Sequence, residues 1–587
     1  MTRNKYRTHN CGELRLSDEG KRVTIAGWVN SVRNLGGLTF VTLRDHFGIT
    51  QLILDNQEIP SKETVVSVTG TVIKRESPNP KMPTGEIEIK VESIEVLGEC
   101  TQTLPFEISE AQNTKEELRL KYRYLDLRNP ENHERIVLRS KLMQYIRNYM
   151  HSHSFLEVQT PILTSSSPEG ARDFLVPSRL NPGKFYALPQ APQQFKQLLM
   201  ICGFDNYFQI APCFRDEDAR ADRSPGEFYQ MDMEMSFATQ EDVFAVIEDL
   251  MGATLKEFTG KVVPAKFERM TYAQAMEEYC SDKPDLRNPL KVVDLTEKLS
   301  QAEFSVFKDK TIKAIKATCD KTRKFYDEMT KFVVDNEGKG LCWFKVAEGQ
   351  LTGSAVKFLK DDEITYILER TGAKDGDSIF IIADAQAKAT KLISTLRNKL
   401  GEELQLLSDE FKFVWIVDFP FYELGDDGNI EFSHNPFSMP QGELDALLNK
   451  NPLEIQAYQY DLVLNGVELL SGAVRNHNPE VMVKAFEIAG YDRSVVENKF
   501  PALFNAFSYG APPHAGCAFG FDRLLMFICN TTIIRDVIAF PLNKNAQDLL
   551  MGAPSTVTEK QLLDVHIKLR DDGRPCNGPS SFMACCG

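Results

Sequence analysis

The stretch AYQYDLVLNGVEL, residues 457–469, carries the clearest fold signal in the chain. Asn-Gly between two apolar runs is the strongest short-range signal for a β-hairpin with a two-residue turn. With this turn, Val463 lies opposite Glu468. Asp461 shares the face of Val463 because side chains alternate along a strand. We therefore expect the Asp461 and Glu468 carboxylates to be diagonal neighbours, with Cβ atoms roughly 7 Å apart.

Two neighbouring carboxylates on a mostly apolar hairpin repel one another unless a positive charge neutralises them. A shared Mg²⁺ would do so, because this ion prefers oxygen ligands and accompanies nucleotide phosphates. The hairpin therefore predicts a metal site at Asp461 and Glu468. Two alternatives stay open at this point: both acids lie in water at a sheet edge, or Arg475 neutralises them.

A charged loop upstream joins two strand-like segments. Residues 213–223 read CFRDEDARADR and lie between strand-like residues 207–211 and 229–237. This arrangement puts Arg215 on a sheet surface near Phe228, where a guanidinium can bind a phosphate through two hydrogen bonds. A solvated surface loop is the alternative.

A third motif, GCAFGFDRLL at residues 516–525, places small residues before Asp-Arg and an apolar helical run. The pattern predicts a strand or turn that enters a helix. Helix N-termini favour anions, and Arg523 adds a positive charge there.

The N-terminal part of the chain reads as five short strands separated by turns. They are expected at residues 23–33, 38–45, 49–55, 65–75 and 86–98. Such a pattern predicts a small closed barrel, and the oligonucleotide-binding (OB) fold is the commonest barrel of this kind with RNA partners. A generic five-stranded barrel is the alternative.

The remaining chain reads as one active domain that is interrupted by an insertion. Apolar spacing predicts a helix over residues 134–152, followed by a strand at 155–158. Residues 170–240 and 411–541 are rich in strand signals and polar groups. Between them, residues of roughly 285–405 contain their own helices and strands, the latter including 341–346 and 379–383.

Composition limits the class of protein. A chain of 587 residues predicts about three to five domains. The net charge of −15 argues against a general nucleic-acid coat protein but allows an enzyme that binds one RNA through a restricted basic face. The 12 cysteines form no C-x-x-C pair, and no signal sequence or long apolar run is visible, which predicts a soluble cytoplasmic protein with reduced thiols.

In order and spacing, the three motifs resemble those of class II aminoacyl-tRNA synthetases. Longer strings narrow the resemblance to the bacterial aspartyl-tRNA synthetase family. They are YRYLDLR at 122–128, SPEGARDF at 167–174, FYALPQ at 185–190, FKQLLM at 195–200 and PPHAG at 512–516. The resemblance covers nearly the whole chain.

The resemblance implies an α+β multidomain protein. It places an OB-fold anticodon-binding domain at 1–105, a hinge at 106–130 and a C-terminal extension at 561–587. The antiparallel-sheet catalytic domain of class II synthetases would occupy 131–284 (motifs 1 and 2) and 411–560 (motif 3), with an α/β insertion at 285–410. Pro161 matches the dimer-forming motif of the class, which implies a homodimer.

The resemblance also implies roles for individual residues. Arg215 and Arg523 are the expected catalytic residues, with Phe228 and Arg523 on either side of the adenine. The expected ATP contacts are Arg215, Asp216, Glu217, Phe228, Glu468, Gly520, Phe521, Asp522 and Arg523. The expected L-aspartate contacts are Glu169, Gln193, Lys196, Arg215, His434 and Arg475, and the Mg²⁺ ligands are Asp461 and Glu468. In the barrel, Arg33, Phe40 and Gln51 would read the anticodon, although a core role for Phe40 is an alternative.

The implied reaction is attack of the aspartate α-carboxylate on the α-phosphorus of ATP, with release of pyrophosphate. The terminal ribose 3′-hydroxyl of tRNA(Asp) then attacks the adenylate carbonyl. Lys196 and Arg475 would grip the side-chain carboxylate, which favours Asp over Asn because unpaired buried charge is unfavourable.

Two departures from the family pattern stand out. The loop SPGEF at 224–228 has one residue more than the commoner QPEF, which puts a nucleotide contact by Ser224 in doubt. The sequence LSG at 470–472 replaces a Gly-rich stretch, which puts close backbone approach to the substrate in doubt.

Two rival functions remain at this stage. One is a relaxed enzyme that aspartylates both tRNA(Asp) and tRNA(Asn), although Leu35 favours the strict form. The other is a synthetase-derived RNA-binding protein without catalysis. Such a protein is expected to have lost at least one of Arg215, Asp461, Glu468 and Arg523, and all four are present.

Overall fold

The structure is a computed structural model. It describes residues 4–569 except 36–37, 56–57, 59, 167–170, 222, 354 and 426. Contacts divide the chain into two units, Met1–Glu110 and Ala111–Gly587. In the part of the chain that is described, no helix combines the length and the apolar content needed to cross a bilayer.

The strands are β1 Arg22–Leu35, β2 Leu38–Asp45, β3 Gly48–Leu54, β4 Val65–Lys74, β5 Ile87–Gly98, β6 Leu156–Glu157, β7 Leu175–Pro177, β8 Phe185–Ala187, β9 Asn206–Arg215, β10 Gly226–Ser236, β11 Glu268–Thr271, β12 Val292–Asp294, β13 Thr311–Thr318, β14 Cys342–Ala347, β15 Gln350–Thr352, β16 Asp377–Asp384, β17 Phe413–Pro420, β18 Tyr422–Leu424, β19 Ile430–Phe432, β20 Gln456–Leu464, β21 Val467–Val474 and β22 His514–Gly520.

The helices are α1 Glu116–Lys121, α2 Arg123–Asp126, α3 Pro130–Ser152, α4 Gln193–Ile201, α5 Gln240–Thr259, α6 Tyr272–Tyr279, α7 Thr296–Leu299, α8 Arg323–Asp335, α9 Asp361–Thr371, α10 Gln386–Glu403, α11 Glu443–Asn449, α12 Pro479–Ile488, α13 Arg493–Lys499, α14 Pro501–Phe507, α15 Phe521–Ile528 and α16 Glu559–Asp564.

The first unit contains a closed barrel in which the strand order is β1-β2-β3-β5-β4. All five strands lie within one or two residues of the predicted positions, so the predicted barrel is confirmed. Alternating side chains fill its interior, for example Val23 and Ile25 on β1 and Val41 and Leu43 on β2, all of them buried.

The second unit is built on an eight-stranded sheet with the order β11-β17-β20-β21-β22-β10-β9-β6. Its strands are antiparallel except for the β11–β17 and β6–β9 pairs. This arrangement confirms the predicted antiparallel-sheet domain. The predicted helix after the hinge is α3, and it begins earlier than expected because Pro130 occupies its first turn and the Asn129 side chain caps it.

The two faces of this sheet differ in chemistry. One row of paired residues across it is Tyr460, Gly472, Cys517, Met233 and Phe208. This face packs against helices α3, α5 and α15 in the largest apolar core. The residues on either side of this row along each strand point to the opposite face, which is where polar side chains collect.

A separate sheet with the order β12-β13-β16-β14-β15 lies between the two halves of the large sheet in sequence. Its strands include β14 and β16, which coincide closely with the predicted strands at 341–346 and 379–383. Helices α8 and α10 cover one face and bury Tyr326, Leu392 and Leu396 against it. The domain boundaries inferred from the resemblance stay predictions.

Candidate active site

One row of paired residues on the polar face of the large sheet locates the two ends of the site. Asp461 on β20 pairs with Ser471 on β21, Ser471 with Ala518 on β22, and Ala518 with Asp232 on β10. Residues paired in this way point to the same face. Because neighbouring strands are about 4.8 Å apart, Asp461 and Asp232 mark two places roughly 14 Å apart on one surface.

The hairpin at one end of this row forms as the sequence predicts. Asn465 has φ +51° and Gly466 has φ +82°, and Val463 pairs with Glu468. A register shift follows between Leu462 and Val463, so Asp461 faces Ser471 instead of the residue expected from the turn. The sequence did not indicate this bulge.

The two hairpin acids sit in unequal surroundings. Asp461 is buried, its Oδ1 has no hydrogen-bond partner among the described residues, and burial followed by repulsion from Glu468 raises its pKa well above the ordinary value. Burial also acts to raise the pKa of Glu468, but Lys283, Arg523 and Arg215 outweigh it and lower that pKa. The alternative in which both acids lie in water is therefore wrong for Asp461.

Lys283 lies at the acid pair, with its Nζ 2.9 Å from Glu468 Oε2. Arg523 reaches the same residue by donating from Nη1 to the Glu468 carbonyl oxygen, at 2.7 Å. Arg475 instead pairs with Glu234, so the alternative in which Arg475 neutralises the hairpin acids is wrong. A buried carboxylate oxygen without a partner beside a second acid fits an oxygen-seeking divalent ion.

Arg215 stands at the end of β9, opposite Gly226 on β10. Its Cζ atom is 5.1 Å from the centre of the half-buried Phe228 ring, and its Nε is buried without a partner among the described residues. Arg215 also lowers the pKa of Glu468, so its charge acts on the acid pair. This loop is therefore more than a solvated surface feature.

The loop between β9 and β10 is held by its own contacts. Glu217 accepts a hydrogen bond from Arg223 at 2.7 Å, and the Asp216 amide donates to the Arg172 carbonyl at 3.0 Å. Ser224 is buried and its hydroxyl donates to the neighbouring Pro225 carbonyl at 3.4 Å, which gives no support to a nucleotide contact by its side chain.

The third motif forms a strand followed by a helix, as expected, with Gly520 at the N-cap of α15. Phe521 points into the apolar core, and Asp522 is buried between Arg139 and the Tyr229 amide. Both side chains are therefore engaged within the protein, and the expected ATP contacts of Phe521 and Asp522 stay predictions. A nucleotide contact at either residue would come from its backbone.

At the other end of the polar row lies a buried ion cluster. Lys196 Nζ is 3.1 Å from Asp232 Oδ2 and 3.3 Å from Glu234 Oε2. Arg475 binds Glu234 through Nε at 2.9 Å and Nη2 at 3.2 Å. All four side chains are almost completely buried. The two cations expected to grip a substrate carboxylate are therefore brought together, but they already face two acids.

The two acids of this cluster differ in strength. Burial raises the pKa of Asp232 to about 6 despite Lys196. Burial also acts on Glu234, but Arg475 and Lys196 outweigh it and lower the pKa of that group. Asp232 Oδ1 has no hydrogen-bond partner among the described residues. Asp232 is therefore the weaker acid and the one with an unused oxygen.

The absence of a side chain at Gly516 leaves room for this cluster. A Cβ on Gly516 would lie 2.1 Å from Glu234 Oε2 and 2.2 Å from the Met233 carbonyl oxygen. Gly516 also accepts a hydrogen bond from Arg475 Nη2 at 3.1 Å through its carbonyl. Only glycine fits at this position.

The remaining expected substrate contacts are Gln193, His434 and Glu169. Gln193 begins α4, one turn before Lys196, and its buried Nε2 has no hydrogen-bond partner among the described residues. His434 packs against the Phe419 ring at 4.9 Å, and burial lowers its pKa. Glu169 lies outside the described residues.

In the barrel, the expected anticodon residues share the outer face. Arg33 pairs directly with Phe40 across β1 and β2, and Gln51 pairs with Thr42 two residues further on. Arg33 is exposed and Phe40 is half-buried outside the apolar interior. Gln51 donates to Glu88 at 2.7 Å. The alternative in which Phe40 belongs to the barrel core is therefore wrong.

Sequence reasoning missed three residues that shape the site. Asp232 and Glu234 lie in the sequence MDMEM, whose strict alternation puts both acids on the face opposite the methionines. That signal was available. Lys283 lies in a connecting segment with no periodicity, so nothing local indicated that it would reach Glu468.

Comparison with known proteins agrees with this fold. The class II tRNA synthetases (D, K and N) match residues 115–544, and the OB-fold nucleic acid binding domain matches residues 23–97. The chain belongs to the class II tRNA synthetases. Within that family it is 51% identical to an aspartate–tRNA ligase of Streptomyces avermitilis, over 96% of this chain and 99% of the relative.

A second relative of this synthetase is an aspartate–tRNA(Asp/Asn) ligase of Rickettsia prowazekii, 50% identical over 97% of this chain and 98% of the relative. The crystal structure of asparaginyl-tRNA synthetase from Pyrococcus horikoshii, complexed with asparaginyl-adenylate, superposes with a TM-score of 0.56 at 18% identity. It covers 91% of this chain and 97% of that chain, and this likeness shows the fold.

Proposed function

We propose that this synthetase is an aspartate–tRNA ligase that activates L-aspartate with ATP and transfers it to the 3′ end of tRNA(Asp). The observation that carries the proposal is the buried pair of cations, Lys196 of α4 and Arg475, which contact acids on the sheet face that also presents Arg215 and the hairpin acids. These two buried cations suit a substrate with an anionic side chain, which would replace Asp232 as the partner of Lys196.

Arg215 and Arg523 orient the triphosphate. Arg215 has an unused buried Nε and lies beside Phe228, which supports binding of the α-phosphate with the adenine close to that ring. Arg523 stands in the first turn of α15 and assists at the γ-phosphate. Both guanidiniums neutralise charge at the reacting phosphate, and no protein nucleophile is required.

Asp461 and Glu468 would hold Mg²⁺, because they offer a buried unpaired oxygen and a second carboxylate at the nucleotide end of the face. When bound, the ion supplies neutralisation of the phosphate charge. Within the described residues no cluster of three or more His, Cys, Asp or Glu side chains forms a metal site. Phosphate oxygens and water would complete the coordination.

The substrate aspartate is held at both ends. Lys196 and Arg475 take its side-chain carboxylate, while Gln193 and Glu169 take its α-ammonium group, with His434 nearby. An ammonium group needs an acceptor, so the Gln193 contact would use its amide oxygen, whereas the unused Nε2 is a donor that suits the neighbouring α-carboxylate of the substrate. This placement directs the α-carboxylate toward the phosphate bound by Arg215.

For the tRNA, we propose that Arg33, Phe40 and Gln51 read the anticodon, with Phe40 stacking on a base. The curated relatives include both tRNA(Asp) and tRNA(Asp/Asn) enzymes, and Leu35 favours the strict form. Charging of each purified tRNA separates the two. Appreciable aspartylation of tRNA(Asn) would establish the relaxed enzyme.

We also propose a cytoplasmic homodimer. Leu156, Ile162 and Leu163 flank Pro161 and are 46%, 47% and 53% exposed, which is unusual for leucine and isoleucine so close together. A second copy covering them would bury this apolar surface. Analytical ultracentrifugation is expected to show a dimer, and a monomer at micromolar concentration would refute this part.

Aspartate-dependent ATP–pyrophosphate exchange tests the central proposal. Exchange is expected with aspartate and is expected to be at least about 100-fold weaker with asparagine. Folded protein that shows no exchange would favour the synthetase-like RNA-binding protein, whose tRNA binding a filter assay would then detect.

A further inference from the structure

A segment from the insertion side reaches the hairpin acids. Residues 280–291 connect α6 to β12. Arg397 of α10 donates to the carbonyls of Asp285 at 2.9 Å, Asn288 at 2.6 Å and Leu290 at 2.6 Å. Asn288 donates back to the Arg397 carbonyl at 2.8 Å. The segment is therefore held firmly at several points along its length.

The same segment lies against the hairpin turn. A Cβ placed on Gly466 would be only 3.0 Å from the Asp285 Cβ atom. Asp285 is itself fixed by Arg287, whose Nη2 lies 2.7 Å from it. The backbone that carries Lys283 is thus fixed relative to the hairpin that carries Glu468.

Lys283 ends at the acid pair. Its Nζ lies 2.9 Å from Glu468 Oε2 and 3.7 Å from Asp282, and Asp461 also acts on it electrostatically. Its side chain is 29% exposed, so the ammonium can leave toward solvent without unfolding the segment. Lys283 therefore has a fixed backbone and a partly exposed side chain, and its ammonium supplies positive charge to the two acids.

We propose that Lys283 is a tethered counter-ion that holds the Asp461–Glu468 pair in the nucleotide-free enzyme and competes with the divalent ion for Glu468. The inference rests on the proposed metal role of these two acids. A lysine ammonium is a compact cation on a flexible stem, so it can withdraw when a divalent ion with phosphate ligands enters. Lys283 is thus a positioning residue that acts through Glu468.

The test is a Mn²⁺ titration of the nucleotide-free full-length protein, followed by the electron paramagnetic resonance signal of free Mn²⁺. Lys283→Met is expected to bind Mn²⁺ at least about tenfold more tightly than the wild type. Lys291→Met is the matched control, because Lys291 lies on the same segment but pairs with Glu278 at 2.6 Å. The control is expected to match the wild type.

Two further variants complete the test. Adding Glu468→Gln to Lys283→Met is expected to abolish the gained Mn²⁺ binding, which locates that binding at the acid pair. Lys283→Gln keeps a hydrogen-bond donor without charge and replaces the Met variant if the latter folds poorly. Without metal, Lys283→Met is expected to melt at a lower temperature than the wild type. Addition of Mn²⁺ is expected to abolish this difference in melting temperature.

Equal Mn²⁺ affinity in Lys283→Met and the wild type, within twofold, would overturn the proposal. Absence of Glu468-dependent Mn²⁺ binding in every variant would overturn it as well. The proposed function is judged separately, because active aspartate-dependent pyrophosphate exchange in the wild type would stand even if Lys283 had no effect on metal binding.

Discussion

Replacement of Lys196 by Met removes one of the two cations in the buried cluster while keeping most of the side-chain volume. Lys196 is 1% exposed, and its Nζ lies 3.1 Å from Asp232 and 3.3 Å from Glu234. In the variant, Arg475 alone faces both acids. A substrate carboxylate would then be the third anion beside a single guanidinium.

The magnitude follows from the bond that is lost. A hydrogen bond between charged groups contributes about 1.5–3 kcal/mol, and unbalanced acids around the substrate add to the loss. We expect a loss of about 3 kcal/mol, which corresponds to a fall in kcat/KM for aspartate of about 100-fold. The KM for ATP is expected to change less than about threefold, because Asp461 marks the nucleotide end roughly 14 Å away along the sheet.

The same substitution leaves two buried acids with too little positive charge, so the protein is expected to lose several kcal/mol of stability. A second substitution separates this effect from substrate binding. Asp232→Asn in the Lys196→Met background removes the surplus acid. It is expected to restore most of the melting temperature without restoring aspartate use.

The assay is steady-state aspartate-dependent ATP–pyrophosphate exchange, with each substrate varied in turn, on variants that show a cooperative melt. An equal rise in the KM values for aspartate and ATP would refute the assignment of Lys196 to the carboxylate. Recovery of aspartate use in the double variant would refute it as well, because the defect would then lie in folding alone.

Three other perturbations have defined outcomes. Burial raises the pKa of Asp232 to about 6, so lowering the pH from 7.5 to 5.5 protonates this group and removes a competing negative charge. The Kd for aspartate, measured by calorimetry, is therefore expected to fall. The Asp232→Asn variant is expected to lose this pH dependence. Gly516→Ala is expected to destabilise the protein by more than about 3 kcal/mol in urea unfolding, because its Cβ would overlap Glu234 at 2.1 Å and the Met233 carbonyl at 2.2 Å; a smaller loss would refute the packing argument. Phe40→Ala is expected to raise the KM for tRNA about tenfold or more and to leave pyrophosphate exchange unchanged, because stacking on one base contributes about 1–3 kcal/mol; an equal effect on exchange would refute a role confined to tRNA.

The barrel could be predicted because its strands are independent local signals. Alternating side chains and Gly- or Asp-rich turns mark each strand, and five short strands leave few ways to close. The structure places the predicted strands within one or two residues of their expected limits. The closing β1–β4 and parallel β3–β5 pairings come from tertiary packing and were not visible in the sequence.

The hairpin shows how far a local sequence signal predicts strand pairing. The turn conformation and the Val463–Glu468 pair follow from Asn-Gly alone. The bulge beyond them does not, because it depends on how Leu469 and Leu470 both pack into the apolar core. Register beyond the first pairs is set by burial of one face of the whole sheet, which a local sequence signal does not reveal.

The ion cluster shows the opposite case, in which sequence identified the cations but misjudged their state. The resemblance pointed to Lys196 and Arg475 as a pair awaiting an anion. The structure gives each an acidic partner from β10, a strand that is far from Arg475 in sequence. Charge balance of this kind arises only when distant strands pair, so it required the sheet register.

Under the proposed function, selectivity for an acid comes from exchange of partners and not from vacant positive charge. Glu234 keeps its charge because Arg475 and Lys196 lower its pKa, whereas burial leaves Asp232 as the weaker acid. An incoming carboxylate can replace Asp232 at Lys196, and its charge pushes Asp232 toward the neutral form. A substrate amide brings no such charge, so Asp232 stays ionised and keeps Lys196. Asp232 thus makes the hydrogen-bond partner of Lys196 depend on whether the side chain of the substrate is charged.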